Sequence, residues 1–145
     1  ARESAIDVEL KALAASGDPE AMADADVRAW VDGPEQPPER VPGDIREVVR
    51  EMDRSNRDPC RVHGRSLRLD PPAAARLDVL TMPALAIAGG LDFSFAAAAA
   101  AYLEANAPDA RAVVMPAVAH LISLEAPDEL AAHILDFLEP LPRWS

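Results

Sequence analysis

The spacing of apolar residues changes part-way along the chain. Up to about residue 72 they recur at helical intervals; from Pro83 they gather into short continuous runs. Ile6, Leu10 and Leu13 make one stripe and predict a helix over residues 3–16, closed by Gly17 as its C′ residue. Asp18-Pro19-Glu20 is a fresh start signal: a capping carboxylate, a proline in the first helical position and an acid in the first turn. The second helix should reach about Val31, with Met22, Ala29 and Trp30 facing inward. A breaker-rich loop runs from Asp32-Gly33-Pro34 to Pro42. A third helix is predicted from about Gly43 to Asn56, with Ile45, Val48, Val49 and Met52 on one face and Asp58-Pro59 as its stop. Residues 60–69 are polar and basic and carry no clear pattern. Asp70-Pro71-Pro72 marks a boundary, followed by a short helix around Ala73 to Leu77.

Beyond Pro83 the pattern is that of a parallel βαβ unit. Ala84 to Ala88 is an unbroken apolar run, as expected of a strand buried on both faces. It ends in Gly89-Gly90-Leu91-Asp92. Phe95 to Asn106 is alanine-rich and predicts a helix, and Val113-Val114 centre a second strand that ends in Pro116-Ala117-Val118-Ala119-His120. Pro127 opens a last helix with Leu130, Ile134, Phe137 and Leu138 at helical spacing, stopped by Pro140 and Pro142. The fold class is therefore α/β: a helical region over residues 1–72, then a parallel βαβα unit over residues 73–145.

Composition removes several function classes. At 145 residues the chain can bury an ordinary single core. Its formal net charge of -11 argues against nucleic acid, which needs a basic face to displace counterions. No apolar run approaches the roughly 20 residues that span a bilayer, and the start, charged at Arg2 and Glu3, has no signal-peptide pattern. A cytoplasmic setting is the expectation, and the Ala, Arg, Asp and Pro usage suggests a high-GC bacterial gene. Cys60 is the one cysteine, so no internal disulfide is possible. The three histidines, His63, His120 and His133, have no metal-ligand spacing; no metal and no cofactor are expected.

In parallel α/β sheets the chemistry gathers at the carboxyl ends of the strands. Asp92 and His120 stand at two such ends and are the candidates for one site. Taken alone, Asp92 reads first as a turn residue and His120 more readily as a loop residue than as a catalyst. Ser94 and Ser123 lie near them without a nucleophile context.

These residues together resemble the C-terminal end of the α/β-hydrolase family. The resemblance rests on the strand from Pro83 ending in Gly89-Gly90-Leu91-Asp92 and on Val113-Val114-Met115-Pro116 leading to His120. Leu124-Glu125-Ala126-Pro127 and the closing Phe137-Leu138 extend it. Residues 1–72, including Trp30-Val31-Asp32-Gly33-Pro34, resemble the family's helical cap. One departure is Ala117, where many members have glycine. The resemblance implies a partial α/β-hydrolase fold in which Asp92 orients His120, the general base, with Trp30 and Leu121 lining a small-molecule substrate pocket. The implied substrate is an ester, lactone or related carbonyl compound.

The family's Gly-x-Ser-x-Gly nucleophile elbow has no counterpart in these 145 residues; Ser66, in His63-Gly64-Arg65-Ser66, has neither the spacing nor the strand. The chain thus reads as a family member beginning after the sixth strand, inactive alone. A missing N-terminal half or another chain should cover the sheet edge, so an oligomer is expected. Two alternatives stay open. One is a non-catalytic module that associates through its sheet. The other is part of a dehalogenase or epoxide hydrolase with an aspartate nucleophile.

Overall fold

The structure is a computed structural model and describes residues 2–57, 64–65 and 67–142. Cys60, His63 and Ser66 lie outside the described residues. The first two helices follow their sequence signals. Helix α1 (Arg2–Ser16) ends at Gly17, whose φ of 73° is the left-handed conformation of a helix stop. Asp18 caps α2 (Pro19–Asp26), its Oδ1 accepting from the amides of Glu20 and Ala21 at 3.1 Å each.

Instead of continuing regularly to Val31, the helix widens into a π turn over Val27–Asp32. Met22 and Ala29 are buried and Trp30 is half-buried. Val27, Val31 and Val41 form a small core, against which Ile45, Val49 and Leu121 pack.

Helix α3 (Gly43–Asn56) lies on α2. Of its predicted apolar face only Ile45 and Val49 reach the core, while Val48 and Met52 are exposed. The helix is turned so that arginines meet the carboxylates of α2: Arg50 bonds Asp24, Arg54 bonds Glu20 and Arg57 bonds Asp26. The short helix after Pro72 is a 3-10 stretch, Ala73–Val79, broken by a non-helical Arg76.

Strands β1 (Ala84–Gly89) and β2 (Ala110–Met115) pair in parallel, from Ala84 opposite Ala110 to Gly89 opposite Met115. Helix α4 (Ser94–Asn106) crosses between them and packs on both. The chain closes with the single turn α5 (Ile122–Glu125) and with α6 (Pro127–Leu138). The fold is thus mixed α/β with, among the described residues, one two-stranded parallel sheet.

The expectation that β1 is buried on both faces is corrected: Ala84 to Ile87 are half-buried and only Ala88 and Gly89 are enclosed. Two strands under one covering helix leave much of the sheet open, whatever its sequence. Likewise Leu130 and Phe137 of α6 are half-buried, while Ile134 and Leu138 are exposed. Among the described residues no helix is long and apolar enough to cross a membrane.

Candidate active site

The carboxyl ends of the two strands are tied together by backbone bonds. Gly90 N donates to Met115 O at 2.7 Å and Leu91 N to Val118 O at 2.9 Å. This contact requires glycine. A Cβ on Gly89 would sit 2.1 Å from Ala119 O, and one on Gly90 would sit 2.8 Å from the Pro116 Cα. The two glycines let the loop that carries Asp92 press against the loop that carries His120.

The side chains then meet. Asp92 Oδ2 lies 2.7 Å from His120 Nδ1, and Asp92 Oδ1 accepts from the Phe93 amide at 2.7 Å. The Asp92 side chain is 3% exposed and that of His120 44%. A carboxylate can only accept, so Nδ1 donates and the neutral imidazole carries its proton there. Nε2, on the far side of the ring, is left as an acceptor with no hydrogen-bond partner among the described residues.

Trp30 closes one side of this pair. Its ring centroid is 4.8 Å from that of His120 at an interplanar angle of 60°, and 4.7 Å from that of Phe93. Phe93 stacks on Phe95 at 5.7 Å, and Phe95 is largely exposed. The Trp30 indole N–H donates to Asp26 Oδ1 at 3.3 Å. Burial pushes the Asp26 carboxyl above its ordinary range, against the opposing pull of the Arg57 guanidinium. Leu121, next in sequence to His120, is half-buried and packs against Val27, Val31 and Val41.

The remaining residues singled out in the sequence sit on α4, α5 and α6. His133 is half-buried on α6, its Nε2 4.0 Å from Glu129 Oε1. Ser94 opens α4, and Ser123 is exposed in α5. Among the described residues no group of three His, Cys, Asp or Glu could hold a metal ion. A concavity of about 190 Å³ lies between α1 and the π turn; its lining includes Ile6, Leu10, Asp32 and Gly33 but neither Asp92 nor His120.

The sequence reading missed a buried ionic network beneath the histidine loop. Glu125 Oε1 accepts from the Ala119 amide at 2.9 Å, and its Oε2 takes the Arg40 guanidinium at 2.6 Å. Arg40 also bonds the carbonyls of Asp32, Val31 and Ala117, at 2.6, 2.9 and 3.3 Å. Trp30 O accepts from the His120 amide at 3.3 Å. Asp32 is buried, ion-paired with Arg46, and accepts from the amides of Glu39 and Val41. Glu125 had a signal in the Leu124-Glu125-Ala126-Pro127 segment. Arg40 had none, because it lies among loop breakers and its partners are remote in sequence.

Compared with protein-family models, curated proteins and solved structures, the chain matches none of them.

Proposed function

We propose that the chain supplies the acid and the general base of a hydrolase acting on a neutral ester, lactone or related carbonyl substrate. The nucleophile is supplied by polypeptide outside these 145 residues. The observation that carries this reading is the 2.7 Å bond between the buried Asp92 side chain and the part-exposed His120, which leaves Nε2 without a hydrogen-bond partner among the described residues. The sequence resemblance to α/β-hydrolases points the same way.

In this reading the nucleophile's hydroxyl passes its proton to His120 Nε2 as its oxygen attacks the acyl carbon. The imidazolium, stabilised by Asp92, returns that proton to the departing alkoxide. Water then repeats the sequence on the acyl-enzyme, with Nε2 again the base. Asp92 stays ionised throughout and holds the ring in the Nδ1–H tautomer. Trp30 and Phe95 offer flat apolar surface to the substrate beside the base. An aspartate nucleophile would use the same pair to activate water in the second step.

The test is hydrolysis of an aryl ester such as p-nitrophenyl acetate by the protein that includes the nucleophile-bearing part. His120→Ala is expected to lower kcat by about 10²- to 10⁴-fold. Asp92→Asn is expected to lower it by up to about 10⁴-fold, through the wrong tautomer. Unchanged hydrolysis in His120→Ala removes His120 as the base.

A second reading, a non-catalytic module that associates through its sheet, is favoured by the exposure of Val114 on β2 and of Leu135 on α6. Association that persists in His120→Ala, with no hydrolysis in the wild-type protein, selects this second reading.

A further inference from the structure

We infer that Arg40 and Glu125 form a positioning pair that holds His120 in register with Asp92 and with Trp30. The inference rests on His120 being the base, but its test does not depend on activity. Three backbone groups in the histidine loop are fixed from outside the loop. Ala117 O is held by Arg40 Nη1, Ala119 N by Glu125 Oε1 and His120 N by Trp30 O. The anchors are joined to one another, since Arg40 bonds Glu125 Oε2 and also the carbonyls of Val31 and Asp32, which follow Trp30 directly. One guanidinium therefore spans both the loop that bears the imidazole and the turn that bears the indole.

The chemistry suits a positioning role. The side chains of Arg40 and Glu125 are 18% and 6% exposed, so the pair bears a desolvation cost that an apolar pair would avoid. What it supplies instead is geometry. A planar fork of five N–H donors can satisfy four acceptors at fixed angles, and an ammonium cannot. The backbone is bent to present it: Glu39, next to Arg40, has a φ of 61°, a region that non-glycine residues seldom occupy. Ala119 is wholly buried, so its amide has no solvent to turn to if Glu125 is lost.

The readout is the His120 tautomer, measured from ring ¹⁵N shifts of the labelled 145-residue chain and assigned by difference from His120→Ala. The wild type is expected to hold the Nδ1–H form, fixed by Asp92. In Glu125→Ala and Arg40→Lys the ratio of Nδ1–H to Nε2–H is expected to fall several-fold while circular dichroism remains that of the folded chain. Glu125→Gln, which can still accept from the Ala119 amide, should fall in between.

A wild-type ratio in folded Arg40→Lys and Glu125→Ala overturns the inference. So does failure of all three variants to fold, since the pair would then be an element of stability alone. Where Glu125→Ala alone fails to fold, Glu125→Gln and Arg40→Lys carry the same decision. A fixed tautomer together with lost hydrolysis in His120→Ala removes the pair and spares the base. A shifted tautomer with undiminished hydrolysis in His120→Ala does the reverse.

Discussion

Gly89 has no room for a methyl group. The nearest atom to a Cβ there is a backbone oxygen, Ala119 O, which cannot rotate away. Gly89→Ala must therefore push the acid loop and the histidine loop apart. It is expected to destabilise the chain by about 1–3 kcal/mol, the usual cost of overpacking, seen as a lower urea midpoint. An unchanged midpoint would mean that the loops are not held in contact. Gly33 clamps the acid loop from the other side: its φ is 100°, and a Cβ there would meet Leu91 O at 2.4 Å. At this scale Asp92 and His120 were legible, because each follows an apolar strand run and a small-residue turn. Arg40 was not, because a guanidinium that bonds carbonyls in distant segments leaves no local spacing to read.

Among the elements, the second helix shows where sequence reasoning stops. Val27 to Asp32 has ordinary helical composition and gives no sign of a π turn. The last carbonyls of this segment, on Trp30, Val31 and Asp32, are taken by the His120 amide and by Arg40, partners remote in sequence. The terminus is shaped by tertiary partners that propensity does not register. By contrast the α1–α2 junction was legible, since Gly17, Asp18 and Pro19 act on immediate neighbours.

The packing of α3 makes an electrostatic prediction. A hydrogen bond from the Arg54 guanidinium holds the Glu20 carboxyl below its ordinary range. Its contribution to stability is complete above the unfolded-state value and is lost as pH falls through the lowered folded one. The difference in urea midpoint between wild type and Glu20→Gln should therefore shrink as pH is taken from neutral into the acid range. It should also shrink with added salt, since the pair is exposed. A difference that grows toward acid would contradict this. Asp26 has the opposite sign: its raised carboxyl makes its charge costly at neutral pH, and that cost is relieved as pH falls through the raised value.

At the scale of the whole molecule, the α/β character and the order of elements were legible from the change in hydrophobic period. The degree of burial was not. An apolar run such as Ala84 to Ala88 says that a strand can be enclosed, whereas enclosure depends on how many strands and helices surround it. Here the two-stranded sheet under α4 leaves Val114 exposed, and Leu135 and Leu138 are exposed on α6. Surfaces of this kind favour association. The 145-residue chain is expected to self-associate, as sedimentation velocity would show. A stable, well-folded monomer with nothing bound would refute that expectation.

The bonds from Trp30 O to the His120 amide and from Arg40 to both segments also bear on how these two segments can move. Here the tryptophan turn cannot lift without dragging the histidine backbone with it and breaking the reach to Asp92. The turn that carries Trp30 and the loop that carries His120 are thus tied into one mechanical piece. Displacing the turn and keeping the Asp92–His120 contact would then be mutually exclusive states of the same set of hydrogen bonds.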